Sequence, residues 1–152
     1  MSTTGPVLIA YDGSLPAKAA IDEVARLLPG AQTVLLYARE PLETVAAHLE
    51  GHPALEQVRQ IDATTADALE ALAEDGAERA RAAGLNATAQ VASIPSAVAS
   101  EAIVTAADAL DASLIVLGSR GRHGIGSFLL GSTSTAVLHH TRRPTLVIPA
   151  QR

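Results

Sequence analysis

Short apolar runs without an internal charge recur along this chain, and segments with helical spacing separate them. Val7-Leu8-Ile9-Ala10, Thr33-Val34-Leu35-Leu36-Tyr37-Ala38, Ser113-Leu114-Ile115-Val116-Leu117 and Thr145-Leu146-Val147-Ile148 are apolar almost throughout, where a half-buried strand would alternate. That is the pattern of strands buried on both faces, which requires a parallel sheet covered by helices on each side. A further strand is expected over Asn86 to Ala92. Strands alternating with helices imply right-handed βαβ crossovers, so the expected fold is a doubly wound α/β sheet of five parallel strands.

The intervening segments carry the helix signals. Ser14 can cap a helix starting near Pro16, with Ala17, Ala20, Ile21, Val24 and Leu28 on its core face and Pro29-Gly30 as its stop. A long alanine-rich helix from about Ala54 to Ala83 directs Leu55, Val58, Ile61, Leu69 and Leu72 inward and stops at Gly84. Ile94-Pro95-Ser96 opens a third helix that runs through Val98 to Leu110, and Ser132 to His140 forms a fourth. Arg39 to about Gly51, interrupted by Pro41, is expected to be a connection.

Hydrophobic residues make up 48% of the chain and aromatic ones only 2%, so the core must come from short side chains at close approach. A length of 152 residues fits one domain, residues 1–152. With no cysteine there is neither a disulfide framework nor a thiolate nucleophile. A net charge of −5 argues against a nucleic-acid partner. No basic leader or membrane-length apolar run is present, so a cytoplasmic protein without a membrane partner is expected.

The chemistry concentrates after the fourth strand. Two residues separate Gly118 from Gly121 and nine separate Gly121 from Gly131, followed by Ser132-Thr133-Ser134. A glycine-rich strand-to-helix connection lets backbone N–H groups approach an anion, and the helix N-terminus adds its positive dipole end. Phosphate suits such a cradle, although the same glycines would also serve plain turns. The loop lacks the lysine of a nucleoside-triphosphatase P-loop and the order of a dinucleotide fingerprint. Ser132 reads first as the helix N-cap. Asp12 is either a turn residue in Asp12-Gly13-Ser14 or an acceptor for ribose hydroxyls, and Asp12 and Gly118 would meet if strands one and four flank the point where strand order reverses. Arg120 and Arg122 offer positive charge to an anion or simply sit in solvent.

Other constellations are weak. His48 and His52 are separated by Gly51 and followed by Pro53, so no metal pair is expected, and His139 and His140 suit a helix C-terminus. No Gly-x-Ser-x-Gly elbow accompanies the serines and histidines, which leaves a hydrolase triad unsupported and no catalytic residue assigned. Helix-terminus electrostatics contribute about 0.3–1 kcal/mol, whereas micromolar binding needs about 8 kcal/mol, so a phosphate ligand must also bury an aromatic body such as adenine.

Together, Asp12-Gly13-Ser14, the Gly118-x2-Gly121-x9-Gly131-Ser132 spacing and the closing Pro144-Thr145-Leu146-Val147-Ile148 run resemble the universal stress protein family over nearly the whole chain, and the spacing resembles its ATP-binding branch. The resemblance implies strand order 3-2-1-4-5 and a homodimer paired through the last strand, Thr145 to Ile148. It implies ATP as ligand, with Asp12 on the ribose, Ala10 and Tyr11 lining the base and ribose pocket, and the Ala38 backbone at the adenine edge. Leu117 and Gly118 would pack by the ribose, and Gly121, Arg122, Gly131, Ser132, Thr133 and Ser134 would surround the phosphates with Arg120 beside them. Any Mg²⁺ is expected on the phosphates. The implied role is a regulatory nucleotide-binding module in stress response, read by an unidentified protein partner. A slow ATPase or adenylyl-transfer enzyme in the same crevice, or a cyclic AMP or AMP sensor, are the alternatives.

Overall fold

A computed structural model describes residues 4–39, 51, 53, 55–93, 98–119 and 130–149. The strands are β1 (Val7–Ala10), β2 (Gln32–Arg39), β3 (Asn86–Ser93), β4 (Leu114–Gly118) and β5 (Thr145–Ile148). The helices are α1 (Leu15–Leu27), α2 (Leu55–Ala82), α3 (Ala99–Ala109) and α4 (Ser132–His140). All five strands form one sheet in the order β3-β2-β1-β4-β5, with every neighbouring pair parallel.

Side chains of β1 alternate between two cores, as the period of a strand demands. Val7 and Ile9 join Ala17, Ala20, Ile21 and Val24 of α1 and Ala77 and Ala80 of α2 on one face. Leu8 joins Ile103, Ala106 and Ala107 of α3 and Val137 of α4 on the other. β1 is therefore the middle of the molecule in two directions, across the sheet and through it.

Several expectations shift at element ends. Leu28 is 41% exposed because α1 ends at Leu27 and the backbone of Leu28, at φ −132° and ψ 62°, leaves the helical stripe. Ser113 lies before β4, its N–H donating to the Pro6 carbonyl at 3.0 Å. α3 starts at Ala99 with Val98 as an exposed N-cap, while Ile94-Pro95-Ser96 lies outside the described residues, as do 40–50 and the side chains of Leu55, Val58 and Ile61. Among the described side chains of α2, Ala73, Ala77 and Ala80 have no exposure, with Leu72 partly buried against the core and Leu69 partly exposed. Alanine takes the inner positions because the helix lies close to the sheet, where a leucine would have no room.

That packing is testable. Ala77→Leu adds three carbons to a site with no exposure and should cost about 1–3 kcal/mol through forced displacement, a large part of the roughly 5–15 kcal/mol that stabilises a domain. Leucine at the exposed Ala83 should change the urea midpoint little.

Candidate functional site

The crossover after β1 runs along the α1 face and the one after β4 along the α4 face, so the chain parts in opposite directions from two adjacent strands. In an open α/β sheet this divergence leaves a crevice outside the strand carboxyl ends. Asp12 stands two positions beyond β1, and Gly118 closes β4. The structure brings these two ends side by side, since Ile9 pairs with Val116.

Residues 11–14 form a tight connection. The Tyr11 N–H donates to the Leu36 carbonyl at 2.8 Å, extending the β1–β2 ladder by one bond. One Asp12 oxygen, Oδ1, accepts the Ser14 N–H at 2.9 Å, with Gly13 at φ +79° between them. Ser14 Oγ accepts the Ala17 N–H at 3.3 Å and so caps α1, with Pro16 in the first turn. The turn role weighed for Asp12 is thus present, and it uses one carboxylate oxygen of a partly exposed side chain.

At the other strand end the two sides of the glycine-rich loop are joined directly. Ser134 Oγ donates to the Gly118 carbonyl at 2.9 Å, and the Gly131 N–H donates to the Ser119 carbonyl at 2.7 Å. The N-cap is Gly131, at φ −61° and ψ 159°, and Ser132 is the first helical residue, which corrects the capping role expected of Ser132. A glycine cap has no side chain to give, and no side-chain bond caps this terminus. The N–H groups of Ser132, Thr133 and Ser134 therefore have no acceptor within the helix. The hydroxyls of Ser132 and Thr133 are exposed, whereas that of Ser134 is buried and engaged with Gly118. Arg120, Gly121, Arg122 and His123 lie outside the described residues.

β2 overhangs β1. The last paired residue of β1 is Ala10, opposite Leu36, while β2 continues to Arg39 on the β3 side. In a parallel strand the N–H and C=O of one residue point the same way and alternate with the next. Leu36 points its carbonyl to Tyr11, so the N–H and C=O of Ala38 face the same side, beyond the end of β1. The crevice is thereby edged by a backbone donor and acceptor. Leu117 is buried, and Ala10 packs on the same α3/α4 side, so the Leu117 side chain belongs to the core and only its backbone borders the crevice.

Tyr11, expected to line the base and ribose pocket, is a core residue on the α1/α2 side. Its ring is 4% exposed and packs in the α1/α2 core, where Gly76 lets the helix lie against it. Burial raises the phenol above its usual value of 10.0, the Asp75 carboxylate raises it further, Arg79 opposes this and Asp12 adds to it. Gly76 and Arg79 carry no site signal in the sequence, and Leu72 reads there only as a core residue. An isolated glycine within an alanine-rich helix is the only signal, and it equally suits a helix of low propensity. Among the described residues no group of three or more His, Asp or Glu is placed to hold a metal ion.

These features define a doubly wound α/β protein with a crevice between β1 and β4. The model of the universal stress protein family matches residues 3–149, and the chain belongs to that family. A universal stress protein of Thermus aquaticus, from the region 3′ to a QAH/OAS sulfhydrylase gene, is 32% identical over 146 residues, 93% of this chain and 96% of the relative. Among solved structures, the hypothetical protein MJ0577 superposes with a TM-score of 0.78 at 20% identity over 97% of both chains. A universal stress protein in complex with cAMP gives 0.65 at 21% identity over 97% of this chain and 98% of that one. One from Archaeoglobus fulgidus in complex with dAMP gives 0.62 at 21% over 97% and 99%.

Ser134→Ala should cost about 0.5–1.5 kcal/mol, the net contribution of one intramolecular hydrogen bond, read as a lower urea midpoint at unchanged slope. At alkaline pH the unfolded chain releases the Tyr11 proton near pH 10, before the folded one does. Stability should fall as pH rises past about 10. Tyr11→Phe should flatten that decline.

Proposed function

We propose that this chain is an ATP-binding regulatory module of stress response, with the nucleotide lying across the carboxyl ends of β1 and β4. The observation that carries the reading is the junction of Gly118 with the glycine-capped start of α4, which offers three helix amides without an intrahelical acceptor, next to the strand β1 that leads into Asp12. Those amides suit phosphate oxygens, and the Asp12 oxygen that does not accept the Ser14 N–H suits ribose hydroxyls. The N–H and C=O of Ala38 offer the donor–acceptor pair that the edge of adenine requires. Base burial supplies what a helix terminus alone, at about 0.3–1 kcal/mol, does not. The cAMP and dAMP complexes of the two similar proteins support an adenine nucleotide. The length of the loop between Gly118 and Gly131, with Arg122 within it, favours a triphosphate over a monophosphate. With no metal-binding cluster among the described residues, Mg²⁺ would be held by the phosphates.

A regulatory role is favoured over turnover because, among the described residues beyond the ends of β1 and β4, the carboxylate is that of Asp12, whose chemistry suits the sugar hydroxyls. β5 is a sheet edge. Its unpaired backbone groups suit two-fold pairing with a second copy, and the nucleotide state would then be read by a protein partner.

In nucleotide-free protein, ATP at 100 times Kd should stabilise by about 2.7 kcal/mol, a clear rise in melting midpoint. Asp12→Asn keeps an acceptor for the Ser14 N–H and should weaken binding about tenfold, as loss of a charge-assisted bond does. With labelled ATP and Mg²⁺, turnover should lie far below the roughly 1–100 s⁻¹ of kinases. No midpoint rise would overturn the site, and turnover in the kinase range would favour the enzyme.

A further inference from the structure

α2 touches the connection carrying Asp12 at two points one helical turn apart. A Cβ built on Gly76 would lie 2.7 Å from Cδ1, 2.9 Å from Cε1 and 3.0 Å from Cγ of the Tyr11 ring, closer than carbon atoms approach. Tyr11 is 4% exposed and packed in the α1/α2 core. At Gly13 a Cβ would meet Leu72 Cδ1 at 3.0 Å, so the leucine methyl sits directly over that glycine. The residues before and after Asp12 are thus both seated on α2. The helix is itself held to α1 by Arg79, which donates to Asp22 at 2.7 Å.

The other restraints on this connection leave it little freedom. The Tyr11 N–H is bound to Leu36, the Asp12 carboxylate to the Ser14 N–H, and Ser14 to the start of α1. A displacement of the Tyr11 ring acts on the backbone immediately before Asp12. Alanine would ordinarily favour the helix over glycine. A glycine at position 76 is consistent with the ring needing the space.

We propose that Gly76 and Leu72 are positioning residues of the site: by seating Tyr11 and Gly13 they aim the Asp12 carboxylate at the hydroxyls of a bound ribose. This rests on the nucleotide reading above. It assigns selectivity for a ribose over a sugar without hydroxyls to a helix that contributes no atom to the ligand. By reciprocity of linked equilibria, a nucleotide that grips Asp12 also favours the seated position of α2.

The test compares ATP with 2′,3′-dideoxy-ATP by titration calorimetry. Wild-type protein should prefer ATP by about tenfold, the contribution of a charge-assisted hydrogen bond. Gly76→Ala should weaken ATP about tenfold and leave dideoxy-ATP nearly unchanged, so the preference falls towards one. In a Tyr11→Leu background, which removes the ring, adding Gly76→Ala should change neither affinity, as a double-mutant cycle requires if the effect passes through the ring. Leu72→Ala introduces no overlap and should lower the preference at least threefold, which keeps the proposal open to test if Gly76→Ala fails to fold. Equal weakening of both nucleotides would show a merely structural role and overturn the proposal. So would an undiminished preference in both variants, or a wild type that binds ATP without ribose preference. A wild type that binds no nucleotide would instead overturn the functional reading itself.

Discussion

The pairing of β1 with β2 on one side and β4 on the other is the constraint on which the rest depends. Leu8 and Ile9 have no exposure, one facing each helical layer, so this strand holds both cores as well as the sheet. Its four residues are matched against a β2 of eight. Because β1 stops first, the carboxyl end of the sheet is notched, and the groups that edge the notch belong to longer neighbours. The crevice is the consequence of a short strand, β1, that ends in the turn at Asp12 beside the long overhang of β2 that carries Ala38 and ends at Arg39.

Small side chains set the second condition. Ala17, Ala20, Ala77, Ala80, Ala106 and Ala107 line the helix–sheet contacts, and each brings a helix closer than leucine would allow. Close approach lets α2 reach past the sheet and lie on the Tyr11-Asp12-Gly13 connection. It also makes the scaffold intolerant of added volume, since atoms packed at this density can only move together. The same property that economises on aromatic residues therefore couples the helix to the site.

At the β4 end, the geometry around α4 shows how a loop can be held by its ends. Ser134 reaches back to Gly118 and Gly131 to Ser119, which fixes where the helix begins whatever path the intervening chain takes. Serine at position 134 reads in sequence as one of three interchangeable hydroxyl residues. Folding distinguishes them: two hydroxyls are exposed and the third is spent on joining strand to helix. α4 spans Ser132–His140 as its residue order suggests, but its cap differs for a related reason: Ser132 is the better cap by propensity, and Gly131 takes that place through the hydrogen bonds that anchor it.

The chain's own pattern determined the strands, the parallel doubly wound class and the placement of Asp12 and Gly118 at strand ends, because burial on both faces and helical periodicity are written in residue order. The strand order itself came from a family resemblance, which the sheet bears out. Only the tertiary structure decided that Tyr11 packs into the α1/α2 core, that Gly76 and Leu72 contact the residues around Asp12, and that Ala38 presents its backbone beyond β1. These depend on the register and on the distance of closest approach between elements far apart in sequence. Such distances follow from the three-dimensional packing of side-chain volumes, and no periodicity along one segment encodes them.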